Sequence, residues 1–116
     1  MSKIQQVRKG STPLIILSIL DARPLHGYGI MRELEERSEG YFKMTAALLY
    51  PTLHQMEQDQ LLEATWEDTP GQRRKKVYAI TAKGRSHLSK SRQDWEQFFK
   101  QLFSIVNHPQ ETGRSE

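Results

Sequence analysis

The 116-residue sequence has no cysteine. Disulfide stapling, thiolate catalysis and cysteine-based zinc or iron–sulfur sites are therefore excluded. Apolar residues are also scarce, at 36% of the chain, and the mean hydropathy is −0.71. The aliphatic run Leu14 to Leu17 falls far short of the ~20 residues a membrane span needs. Met1-Ser2-Lys3-Ile4-Gln5-Gln6 lacks the apolar region of a secretion signal, so the expectation is a small cytoplasmic protein. The histidines, His26, His54, His87 and His108, are scattered without metal-ligand spacing. No serine–histidine–aspartate set is legible. His26-Gly27-Tyr28-Gly29 lacks the further glycine and the preceding strand of a dinucleotide loop. The length is one domain's worth and excludes a doubly wound enzyme or a β/α barrel. The sequence reads as no enzyme, with no cofactor and no metal.

What is present is a modest basic excess: 17 Lys and Arg against 14 Asp and Glu, or +3. That balance is compatible with a polyanion partner without requiring one. A chain this polar and short buries a thin core, so a second chain is expected to complete it. Thr12-Pro13 reads as the start of a first helix, apolar on nearly every face through Leu14, Ile15, Ile16, Leu17, Ile19 and Leu20. A second amphipathic helix carries Ile30, Met31 and Leu34 inward and ends at Gly40. A third, capped by Thr45, repeats Leu49, Leu53 and Met56, with Pro51 awkward inside it. Two alternating runs, Leu62 to Glu67 and Lys76 to Ile80, flank Pro70-Gly71 and read as a two-stranded hairpin. Thr81 caps a final helix running to about Asn107, with a broad stripe of Leu88, Trp95, Phe98, Phe99, Leu102, Phe103, Ile105 and Val106.

Helix, helix, helix, hairpin, long helix is a mainly α, α+β chain: a winged helix-turn-helix domain followed by a long C-terminal dimerisation helix. Its expected parts are residues 1–80, 81–107 and a polar tail, 108–116. The third helix is the candidate recognition helix for the DNA major groove. Lys43, Thr45, Ala46, Tyr50 and His54 lie on or beside its exposed face, and small Ala46 and Ala47 permit close approach. The plain alternative is that Thr45 only caps and Tyr50 packs on the second helix. Arg73, Arg74, Lys75 and Lys76 are expected to alternate along the second strand, with Arg73 and Arg74 nearest the tip, where phosphates or the minor groove are in reach. Such a run is otherwise a solvated face. Arg8 and Lys9 are candidates for a further backbone contact. Glu33, Glu35, Glu36 and Glu39 on the second helix should face away from DNA.

Several stretches together resemble the PadR family of bacterial transcriptional regulators in its short form. They are Ile16 to Leu20, Pro24-Leu25-His26-Gly27-Tyr28-Gly29-Ile30, Ala47-Leu48-Leu49-Tyr50-Pro51 through Glu57, Gly71 through Tyr78, and Thr81-Ala82-Lys83-Gly84. The likeness covers roughly residues 12–106. It implies a homodimeric repressor of an inverted-repeat operator in double-stranded DNA, and a proline tolerated inside the recognition helix. The chain departs from the family at Ala47 and Gln60, where glycine is frequent, and at Gln72 in the wing. The expected dimer interface is Leu14, Leu17, Leu88, Trp95, Phe98, Phe99, Leu102, Phe103 and Val106. The resemblance further implies a small aromatic effector between the paired terminal helices, held by Trp95 and Phe99; the alternative is that Trp95 is dimer core. The rival from another class is a winged-helix protein-interaction module without sequence-specific DNA binding.

Overall fold

The structure is a computed structural model that describes the backbone of residues 3–109 and the side chains of residues 10–109. Helix α1 spans Lys3–Ala22, strand β1 Leu25–His26, α2 Gly27–Arg37, α3 Ala46–Gln58, β2 Leu62–Glu67, β3 Lys75–Ile80 and α4 Ala82–Val106. The expected mainly α, winged arrangement is present, with three corrections.

Helix α1 does not start at Thr12-Pro13; it begins at Lys3 and carries Pro13 inside. Nothing in Lys3–Thr12 breaks a helix except Gly10, whose cost is small. Downstream, the burial of Ile16, Leu17, Ile19 and Leu20 holds the turns around the proline. The second correction is β1. It pairs antiparallel with β3, Leu25 opposite Tyr78 and His26 opposite Val77, making a three-stranded sheet of order β1-β3-β2 instead of a two-stranded hairpin. The third concerns the cations: β3 begins at Lys75, so Arg73 and Arg74 lie in the wing loop and do not alternate along the strand. That loop turns through Gly71 at φ +77°.

Thr45 caps α3 by accepting the Leu48 N–H, and the helix passes through Pro51 unbroken. Its end is a Schellman turn: the Leu61 N–H donates to the Met56 carbonyl and the Gln60 N–H to that of Glu57. Gln60 therefore sits at φ 64°, a left-handed conformation that suits glycine better. Helix α2 closes the same way, with Glu39 at φ 52° and the expected Gly40 following at φ 82°, both left-handed.

Thr81 ties the wing to α4. Its hydroxyl oxygen accepts the Gly84 N–H and its proton goes to the Gln60 carbonyl at 2.7 Å. A Cβ on Gly84 would collide with the Leu61 carbonyl oxygen, so the helix and the α3–β2 turn touch backbone to backbone. The core gathers Ile16, Leu17, Leu20, Ile30, Leu49, Leu53, Leu62 and Leu88 between α1, α2, α3, the sheet and the start of α4. The remainder of α4 runs past this body: the radius of gyration is 18.3 Å, against ~13 Å for a compact chain of this size. Among the described residues no helix is long and apolar enough to cross a membrane.

Candidate nucleic-acid interface

The buried stripe of α3, Leu49, Leu53 and Met56, fixes the opposite face outward. That face presents Thr45, Ala46, Ala47, Tyr50, Pro51 and His54, all exposed. Thr45 uses an oxygen lone pair for its cap, which leaves the hydroxyl proton for an outside acceptor. Capping and an external contact are therefore compatible. Tyr50 combines the two expectations for it. Its phenol lies against Gly27 of α2, where an added Cβ would come within 2.5 Å of the hydroxyl oxygen, yet the residue remains 45% exposed. Only a glycine lets the ring settle so close to α2. His54 pairs with Gln58 one turn on, at 3.1 Å. Lys43 stands in the α2–α3 turn, 3.9 Å from Glu35.

The acidic residues of α2 are largely engaged by its own and neighbouring cations. Glu33 meets Arg37 at 2.9 Å and Arg23 at 3.6 Å, and Glu36 meets Arg32 at 3.4 Å. The hydrogen bond from Arg37 is the main reason the Glu33 carboxyl sits below the usual carboxylate range.

On the wing, Arg73, Arg74 and Lys75 are exposed. Arg74 is held at home: its Nε is 2.7 Å from Asp68, and its guanidinium lies 5.0 Å above the Trp66 ring. Arg73 and Lys75 have no ion pair among the described residues. Lys76 differs from these. Its ammonium meets Glu57, in the last turn of α3, at 3.0 Å. Sequence reading missed this pair, because opposite charges 19 residues apart carry no local spacing. It also missed Tyr28, exposed at the start of α2 with the Arg32 guanidinium 6.0 Å from its ring. The side chains of Arg8 and Lys9 lie outside the described residues.

The residues expected at a dimer interface divide into two groups. Leu17, 0% exposed, and Leu88, 2%, belong to the chain's own core. A surface role for these two is corrected: their burial is already complete within one chain. Leu14 packs half-buried against that core. Along α4, Trp95 lies beside Gly10 of α1. Trp95, Phe99 and Phe103 follow as a ladder, with ring centres 5.4 and 5.9 Å apart and the last two stacked; Phe98 flanks it, partly buried. Phe99, Leu102, Phe103 and Val106 are exposed, as is Ile105 at 75%.

Residues 16–90 match the Transcriptional regulator PadR-like family. The transcriptional regulator Rv3488 of Mycobacterium tuberculosis is 26% identical over 110 residues, covering 95% of this chain and 99% of that protein. A solved PadR-like transcription factor from Bacteroides fragilis is 30% identical, with a TM-score of 0.72 over 90% of this chain and 94% of that one. A transcriptional regulator from Clostridium thermocellum shares the fold at a TM-score of 0.80 and 22% identity, over 91% of this chain and 98% of that one. These proteins are regulators of transcription and not enzymes. With its winged architecture and a family match over more than half its length, this chain belongs to the PadR-like family of transcriptional regulators.

Proposed function

We propose that this DNA-binding regulator works as a cytoplasmic homodimer that represses transcription from an inverted-repeat operator. Two chains pair through the exposed aromatic ladder of α4, aided by Leu14 on α1. The pairing spaces two α3 helices about one duplex turn, roughly 34 Å, apart. Thr45, Ala46, Tyr50 and His54 face the major groove. Arg73, Arg74 and Lys75 on the wing, with Lys43, meet phosphates and supply most of the affinity. Occupying a promoter then blocks polymerase.

One observation carries this reading. The exposed face of α3, free of acidic residues between Thr45 and Gln55, belongs to a helix tied to a wing whose Arg73 and Lys75 have no ion pair among the described residues. The test is selection of duplexes from a random pool, with the unaltered protein and with Arg73→Ala/Arg74→Ala. Enrichment of a palindrome by the first and weakened binding by the second is the expected result. Unchanged affinity for duplex DNA in the double variant would favour a protein-interaction module. Sedimentation at micromolar concentration should show a dimer, and a folded monomer there would remove the spacing argument.

The release mechanism follows from the same pairing. A flat aromatic effector seated against Trp95 and Phe99 of both chains would change the angle between them and carry the α3 helices out of register. Titrating planar aromatic compounds while following tryptophan emission tests this, with Trp95→Ala as the control expected to abolish the response.

A further inference from the structure

Where the wing leans over α3, three side chains form a polar cluster that DNA contact does not require. Lys76 stands near the outer end of β3 and reaches back to the helix, its Nζ 3.0 Å from Glu57 Oε1 and 5.4 Å from the centre of the Tyr78 ring. The side chains of Lys76 and Glu57 are 31% and 33% exposed, less open than the wing's other pair, Arg74–Asp68. Such partial withdrawal reduces screening by salt. The Glu57 hydrogen bond is the main reason Lys76 sits above the ordinary lysine value, with a smaller contribution from Tyr78. Tyr78 is buried and belongs to the sheet's central strand, opposite Leu25 on one side and Ala64 on the other. A continuous path therefore runs from α3 through Glu57 and Lys76 to Tyr78 and all three strands. Among the described residues, this is the ion pair that joins α3 to the wing.

The geometry makes the pair a strut. The inner end of the wing is fixed, because Leu62 and Ile80 are buried and Thr81 is bonded to the α3–β2 turn. The outer end of β3 lies about 17 Å from Ile80, at ~3.3 Å per residue. A swing of about 10° about the fixed end displaces it by roughly 3 Å, enough to break a hydrogen bond to a phosphate. Lys76 leaves β3 one residue from that outer end and reaches back to Glu57, so the tie acts on the strand far from its fixed end.

We propose that Glu57 and Lys76 are positioning residues that set the angle between the wing and α3, and so sharpen discrimination of operator from other DNA. This rests on reading α3 and the wing as the DNA interface. Lys76 acts through Glu57, in contrast to Lys75, which is free to meet a phosphate.

The test measures the dissociation constants for a duplex selected by the unaltered protein and for a scrambled duplex, across a salt series. Variants are Glu57→Gln, Lys76→Met, Lys76→Arg and the exchange Glu57→Lys/Lys76→Glu. Thermal melts check folding. In both Glu57→Gln and Lys76→Met the ratio of scrambled to selected dissociation constants should fall ~3–10-fold. It should return to within about twofold in Lys76→Arg and in the exchange. If Lys76→Met fails to fold, Glu57→Gln with the exchange still decides the matter.

Unchanged ratios in well-folded single variants would overturn the proposal. So would a Glu57→Gln protein that binds both duplexes more tightly with a salt slope steeper by about 0.9, the mark of a lysine released to a phosphate. If the unaltered protein selects no duplex, the DNA interface itself is wrong and the strut falls with it. That outcome is distinct from a selected duplex whose discrimination the variants leave intact.

Discussion

The two halves of α4 make opposite use of the same helix. In the first, Gly84 and Leu88 are sunk into the body, Thr81 caps the start and Arg85 approaches Asp21 of α1 at 3.9 Å. In the second, a ladder of rings runs along the helix from the half-buried Trp95, beside Gly10 of α1, to the exposed Phe99 and Phe103. The near half is completed by its own chain. The far half carries the apolar stripe of a core helix, and among the described residues its Phe99, Leu102, Phe103, Ile105 and Val106 are left exposed. Periodicity alone cannot tell the two apart, because Leu88 and Leu102 read alike along the sequence. What separates them is their burial in the folded chain, 2% exposed for Leu88 and 38% for Leu102.

Substitutions can break this contrast, starting with the near half. Leu88→Ala should lower unfolding stability by about 2–4 kcal/mol through a cavity that the core cannot close. Gly84→Ala comes next, at about 1–3 kcal/mol, since its methyl group must displace the Leu61 backbone. Urea titrations measure both, and a neutral Gly84→Ala would mean that the two backbones touch only loosely. On the far half, Phe99→Ser/Phe103→Ser should weaken self-association at least about tenfold, roughly 1.4 kcal/mol. Analytical ultracentrifugation reads that directly, and helix content at low concentration should be retained. If this double variant still pairs like the unaltered chain, the exposed ladder has no role in assembly.

The wing supplies a smaller, charge-dependent effect. Arg73→Ala/Arg74→Ala should flatten the logarithmic salt dependence of DNA binding by about 1.8, at ~0.9 for each phosphate no longer neutralised. A slope reduced by only ~0.9 would assign Arg74 to its partners Asp68 and Trp66 and leave Arg73 on the phosphate. The smallest effect is a gain. Gln60→Gly relieves left-handed strain of ~1 kcal/mol but adds freedom to the unfolded chain, for a net stabilisation of about 0.5 kcal/mol in thermal melts.

Much of the fold is legible in the sequence because its signals are local. Thr45 and Thr81 announce their helices by cap chemistry, Leu49, Leu53 and Met56 declare a buried face, and Pro70-Gly71 marks the wing turn. The failures are non-local. A two-residue strand such as Leu25–His26 has no period to detect and exists because Val77 and Tyr78 offer it an edge. Pro13 reads as a helix start because the local rule favours that position, whereas tertiary burial of the following turns keeps the helix going on both sides. For the candidate interface, residue types on α3 and at the wing tip are readable. Pairings such as Lys76 with Glu57, and Tyr50 with Gly27, depend on how strand and helix meet. The division of the dimer candidates follows the same logic: Leu17 and Leu88 are apolar for their own chain's sake.

The tryptophans fall on opposite sides of these distinctions. Trp66 stands on the wing under the Arg74 guanidinium, and Trp95 begins the aromatic ladder. The chain thus has a built-in optical probe in each of two places. Replacing either indole with phenylalanine leaves a single tryptophan, so grip on nucleic acid and pairing of subunits can be timed separately, one in each variant, without any attached dye.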